Sequence, residues 1–161
     1  FSSRRRHTRC CSWSRGLGDV YKRQFLTLTR ELDVELKGIY GSLQAVYDKH
    51  NVIDPIDTAI VGYRGDEAIA CGCFKKVDTE HVEIKRLYVK PNYRRQGFSS
   101  KVLQALEAWA SGLGYAVALL ETGKKQPEAI ELYRKFGYRI IANYGPYRGM
   151  ENSLCMQKLL S

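Results

Sequence analysis

The stretch Leu87-Tyr88-Val89-Lys90-Pro91-Asn92-Tyr93-Arg94-Arg95-Gln96-Gly97-Phe98-Ser99-Ser100 decides the fold. A β-rich run ends at Pro91, because proline has no N–H to give to a sheet ladder. Two arginines and a glycine follow, and then Val102, Leu106, Trp109 and Leu113 recur at helical spacing, widened by Leu103 and Ala110. A strand, a basic glycine-containing loop and a helix make a place where phosphate binds. The first N–H groups of a helix have no intrahelical partners and carry the positive end of its dipole. Gly97 lets the backbone approach a ligand closely, and Arg94 and Arg95 add charge. A solvated basic turn before an ordinary helix has the same pattern, and the residues alone leave both readings open.

Upstream, His81 to Val89 reads as a strand whose phase changes. Its apolar positions are even at Val82 and Ile84 but odd at Leu87 and Val89, so one extra residue, a β-bulge near Lys85 and Arg86, is expected. Thr58 to Tyr63 and Ala68 to Lys75 form a hairpin around Arg64-Gly65-Asp66-Glu67. Phe25, Leu28, Leu32, Leu36 and Ile39 mark an amphipathic helix that Gly38 and Gly41 weaken, and Asp48 to Asp57 reads as a loop.

Downstream, Tyr115 to Glu121 is nearly all apolar, as in a strand buried on both faces. Pro127 opens a helix that carries Ala129, Ile130, Leu132, Tyr133 and Phe136 and stops at Gly137. Tyr138 to Ala142 and Ser153 to Leu159 are the last strands, separated by Asn143-Tyr144-Gly145-Pro146-Tyr147. The order α, β, β, β, α, β, α, β, β predicts one α/β domain, a mixed sheet flanked by helices.

Composition narrows the function classes. The 161 residues suit one domain, and 44% hydrophobic with 27% charged residues is a globular balance. The longest apolar run, Tyr115 to Leu120, is far short of the roughly 18 residues of a membrane span. The net charge of +9 is unevenly placed: residues 1–24 carry +6 and the other 137 residues only +3. A nucleic-acid surface is therefore not expected on the folded part.

Residues 1–24 are rich in Ser, Arg and Gly and show no periodicity. A secretory signal fails because no apolar segment follows the arginines, and a transit peptide lacks its amphipathic helix. A basic nucleic-acid-binding arm would use this charge. The strings SSRRRHTRC and DVYKRQ also resemble translated sequencing-adapter read-through. On that reading residues 1–24 are a non-native or disordered tail, and the domain is 25–161. The native N-terminus, with the first strand of the sheet, would then be missing.

Cys71, Cys73 and Cys155 are an odd set outside that tail, which favours reduced thiols and a cytoplasmic setting over a disulfide framework. Cys71 and Cys73 share a strand face with His81 nearby, yet no fourth metal ligand is evident, and small buried hydrophobes are the simpler reading. No metal site is expected. The sequence has no GxxxxGK[ST] loop, no GxGxxG after a strand, no GxSxG elbow and no HExxH helix.

From about Phe25 to Leu160 the chain resembles a GNAT-superfamily N-acetyltransferase. The family's phosphate loop, Gln/Arg-x-x-Gly-x-Gly/Ala, is matched by Arg94-Arg95-Gln96-Gly97-Phe98-Ser99, where Ser99 departs from the usual Gly or Ala but is small enough to keep the backbone accessible. A later family segment, an Ala-x-x-Leu-Tyr helix and a Gly-aromatic pair, is matched by Ala129-Ile130-Glu131-Leu132-Tyr133 and Gly137-Tyr138.

The resemblance implies acetyl-CoA as donor, held by Arg94, Arg95, Gln96, Gly97, Phe98, Ser99 and Ser100, with its pyrophosphate on the amides from Gln96 to Ser100. It implies a pantetheine arm along Leu87, Tyr88 and Val89, and a main-chain N–H near Leu87 or Tyr88 that polarises the thioester. A primary amine of a small molecule or peptide would attack directly, with Glu83 as base and Tyr133 as proton donor to the thiolate. Glu121 is the alternative base, and Glu83 is equally readable as a structural ion pair with Lys85 or Arg86. The loop Tyr144 to Tyr147 is either a wall of the acceptor pocket or a rigid turn. Homodimers are common in such proteins. A non-catalytic acyl-CoA-binding or sensing module of the same fold is the alternative function.

Overall fold

The structure, a computed structural model, describes residues 12–15, 18–50 and 58–161. Its strands are β1 (Ser12–Arg15), β2 (Ala59–Arg64), β3 (Glu67–Lys76), β4 (His81–Val89), β5 (Val117–Gly123), β6 (Arg139–Ile141) and β7 (Ser153–Leu159). They form one seven-stranded sheet in the order β1-β2-β3-β4-β5-β7-β6. Every pairing is antiparallel except β4 with β5. The helices are α1 (Asp19–Tyr40), α2 (Gln44–Asp48), α3 (Phe98–Gly112) and α4 (Pro127–Lys135).

Two apolar clusters cover the two faces of the sheet. On one face α1 contributes Phe25 and Leu28, which pack with Val61, Cys71, Cys73 and Tyr88. On the other, Val102, Leu103 and Leu106 of α3 pack with Ile69, Val82, Ile84 and Leu120, and Tyr133 of α4 joins them. The even positions of β4 before the bulge thus face α3, while Glu83 and Lys85 face the α1 side. Cys71 and Cys73 are free thiols buried in the α1-side cluster, and burial pushes the Cys73 thiol up to about 12. They act there as small hydrophobes.

The N-terminal end differs from the sequence expectation. A first strand is present: β1 pairs with β2 from Ser12↔Tyr63 to Arg15↔Ile60, and α1 starts at Asp19, not Phe25. A Cβ placed on Gly62 would come within 2.6 Å of the Trp13 ring, so the indole lies directly on that glycine. Backbone pairing explains the miss: β2 has an outer edge to pair with, and four residues are too few to display alternation. The tail expectation for 1–11 and 16–17, and the loop expectation for 51–57, lie outside the described residues. The short helix α2 was also not foreseen.

Candidate active site

The parallel ladder between β4 and β5 runs from His81↔Val117 to Ile84↔Leu120 and stops there. β4 continues to Val89 along β3, and β5 continues to Gly123 along β7, so the two strands part and a cleft opens between them. The bulge sits at that point. Between Cys71↔Tyr88 and Cys73↔Lys85, β3 advances two residues and β4 three, and Arg86 has a φ of 57°. Consecutive side chains Lys85 and Arg86 consequently both point to the α1 side. Arg86 pairs with Asp33 of α1, and beyond it Tyr88 returns to the α1 face while Leu87 packs on the α3 side.

The cleft is lined by Glu83, Lys85 and Leu87 from β4, Glu121 from β5, Tyr133 from α4 and Tyr147, among others. The two carboxylates and the tyrosine singled out from the sequence are therefore brought together. Glu83 is buried and its Oε1 collects three partners. Tyr147 Oη donates at 2.8 Å, Tyr144 Oη donates at 3.1 Å, and Lys85 Nζ lies at 3.5 Å. Both roles considered for Glu83 are compatible with this: it pairs with Lys85 and it lines the cleft.

Glu121 follows the last β4–β5 pair and accepts a hydrogen bond from Ser153 Oγ at 2.8 Å. Burial raises its pKa above the usual carboxylate range, with the charge of Glu83 adding to the effect and Ser153 and Lys85 opposing it. Burial likewise raises the Tyr133 phenol, and the Glu121 charge adds to that. Tyr133 thus holds its proton throughout the neutral range.

The segment between β6 and β7 is a hydrogen-bonded turn, and its Tyr147 lines the cleft. Asn143 Nδ2 bonds the carbonyls of Tyr147, Met150 and Ser153 at 3.1–3.3 Å, which fixes the turn. Tyr147 is only 2% exposed. Its contact with Glu83 crosses 64 residues of sequence, so no local pattern could have announced it.

At the other end of the cleft, Leu87, Tyr88 and Val89 present a β4 edge that has left β5. An extended amide-bearing chain can pair with such an edge. In the loop beyond, Arg94 and Phe98 turn their side chains back onto the protein. Arg94 Nε donates to Val89 O at 2.9 Å and its terminal nitrogen pairs with Glu35 at 2.5 Å, so its charge is largely compensated. Gln96 bonds Asn92 O, and Phe98 is buried in the α3-side core. Arg95, at φ 60°, is exposed and lies 3.9 Å from Glu128.

Besides the exposed Arg95 and Gln96 side chains, what faces outward is backbone. Gly97 is the N-cap at φ 80°, with no side-chain cap among the described residues, and Lys101 N donates to Gly97 O at 3.1 Å. That leaves the amides of Phe98, Ser99 and Ser100 for an anion. The residues present fit acetyl-CoA: amides at the helix start for a pyrophosphate, and a strand edge released by β5, with only its Val89 carbonyl taken by Arg94, for a pantetheine arm. Among the described residues no group of three His, Cys, Asp or Glu side chains is placed to hold a metal ion. No described helix is long and apolar enough to cross a membrane.

Comparison with known proteins agrees with this geometry. The IAA acetyltransferase of Azospirillum brasilense is 33% identical over 136 residues, spanning 83% of this chain and 88% of that protein. A candidate acyl-CoA N-acyltransferase from Klebsiella pneumoniae superposes with a TM-score of 0.76 at 27% identity, covering 94% of this chain and 98% of its own. A GNAT acetyltransferase from Elizabethkingia anophelis, solved with acetyl-CoA bound, shares the fold at a TM-score of 0.56 and 22% identity, over 63% of this chain and 75% of its own. The profile of the acetyltransferase (GNAT) family matches residues 24–138. Acetyl transfer from acetyl-CoA is the general reaction of that family, and the chain, an acyltransferase, belongs to it.

Proposed function

We propose that the acceptor is a primary amine of a small molecule or peptide, and that it attacks the thioester directly. The observation that carries this reading is the convergence of Glu83, Glu121 and Tyr133 on one cleft at the parting of β4 and β5. When bound, acetyl-CoA supplies an activated acyl carbon and a thiolate leaving group.

The chain supplies the rest. The amides of Phe98, Ser99 and Ser100 hold the pyrophosphate, and the free edge of Leu87 to Val89 aligns the thioester arm. A main-chain N–H at Leu87 or Tyr88 donates to the carbonyl oxygen as it gains negative charge. An amine with a pKa near 10 is mostly protonated at neutral pH, so a base is needed. Glu83 takes that proton, directly or through a water. Tyr133 keeps its own proton until the sulfur carries charge, then passes it on.

We place the reaction in the cytoplasm, where the free buried thiols stay reduced, with no nucleic-acid or membrane partner. A homodimer is the assembly to test for.

Thiol release from acetyl-CoA across a panel of n-butylamine, 2-phenylethylamine, glycinamide and a lysine-containing peptide tests the reading. Saturable turnover with at least one amine is expected. Tight acetyl-CoA binding with no turnover of any amine would instead favour the non-catalytic sensing module.

A further inference from the structure

We propose that Lys85, Tyr147 and Tyr144 are positioning residues that clamp Glu83 by one oxygen and leave the other to take the acceptor's proton. The inference rests on the reading of Glu83 as base and adds how the base is held.

Among the described residues, the bonds made to Glu83 all arrive at Oε1. The hydroxyl of Tyr147 has both of its roles fixed. It donates to Glu83 at 2.8 Å and accepts from Lys85 Nζ at 2.9 Å. The ammonium of Lys85 donates to Tyr147 Oη and to His50 O at 3.2 Å, and forms an ion pair with Glu83 Oε1 at 3.5 Å. Its side chain is only 7% exposed. A buried ammonium with two hydrogen bonds and an ion pair is held in one geometry, and it holds its neighbours in turn.

The clamp follows from the bulge. Glu83 and Lys85 are two residues apart on one strand and share a face. The extra residue, Arg86, lets that face carry a second cation, and this one is turned to Asp33 of α1. Asp33 thereby pairs with Arg86, and Lys85 is left to Glu83. The phenols come from the turn that Asn143 fixes, with the two rings packed edge to face at 5.5 Å. The nearby titratable groups that bear on Glu83 are Lys85 on its own strand, Cys73 on β3, Glu121 on β5, Cys155 on β7, and Tyr144 and Tyr147 on the turn.

Fixing one carboxylate oxygen with two hydrogen bonds and an ion pair orients the other within the tolerance that proton transfer demands. A merely structural polar cluster would also lower stability when cut, so stability is not the test. Coupling is.

The experiment measures kcat and the KM for acetyl-CoA, with 2-phenylethylamine as the acceptor probe if it is turned over and otherwise the best amine of the panel. The variants are Lys85→Met, Tyr147→Phe and Tyr144→Phe, each made alone and in the Glu83→Gln background. Tyr144→Phe guards against the chance that the deeply buried Tyr147 is needed for folding.

Each single variant is expected to lower kcat about tenfold with the KM for acetyl-CoA within about twofold, and to have under a twofold effect once Glu83 is Gln. Losses that multiply in the double variants, with Glu83→Gln itself strongly impaired, would overturn the clamp and leave the base in place. A Glu83→Gln enzyme with undiminished kcat would overturn both.

Discussion

Up to Ile84, β4 is paired on both sides, and Glu83 and the following Lys85 face a cleft where Glu83 Oε1 and Lys85 Nζ have side-chain or carbonyl partners. After Arg86, the same strand has lost β5, its side chains serve packing, and its contribution is an open backbone edge that leads to the amides behind Gly97. On the proposed reading, the amine-facing half is built from side chains and the coenzyme-facing half largely from main chain. One inserted residue separates them. Substitutions should therefore act differently in the two halves: side-chain removal matters in the first, and only a change of backbone conformation matters in the second.

Tyr133→Phe should show the largest effect, because it removes a proton donor and little volume. We expect kcat to fall about a hundredfold, within the usual range for general acid catalysis. Calorimetry should find the acetyl-CoA affinity within about twofold of the parent. Equal losses in both quantities would blur the division between the halves.

Gly97→Val tests the main-chain half. At φ 80° a side chain is strained although nothing lies within 4 Å of the added Cβ. A cost of roughly 1–2 kcal/mol corresponds to about tenfold weaker acetyl-CoA binding. Ser99→Ala, which keeps the amide, should change the affinity less than twofold. A large effect of Ser99→Ala would show that side chains also build this end.

The smallest effect concerns Glu121 and stability. Its pKa is raised above the ordinary 4.5, chiefly by burial. The folded chain then binds that proton more tightly than the unfolded chain. The penalty of the buried carboxylate is absent below the ordinary value, grows as pH rises through the raised value, and is constant above it. Glu121→Gln should therefore raise Tm by about 1–3 °C above neutral pH, and the gain should vanish towards pH 4. A gain independent of pH would mean that charge is not its cause.

How much of this was legible in the sequence depended on range. The bulge could be read because an extra residue shifts the parity of Val82, Ile84, Leu87 and Val89 within one strand. The amide cradle could be read because proline, glycine and helical spacing follow one another locally. The partners of Glu83 could not, since Tyr144 and Tyr147 reach it from more than 60 residues away and only the closed sheet brings them together. β1 was hidden for another reason. Its register is set by backbone bonds to β2, which leave no mark on an arginine- and serine-rich segment, and Trp13 on Gly62 was its one available signal.

Amide hydrogen exchange of the full chain, with and without saturating acetyl-CoA, tests the central division most directly. The account predicts that the coenzyme slows exchange at the amides of Phe98, Ser99 and Ser100 and along Leu87 to Val89, and that Glu83→Gln retains this protection while losing turnover. Absence of protection at both segments, or its loss together with turnover in Glu83→Gln, would contradict the account.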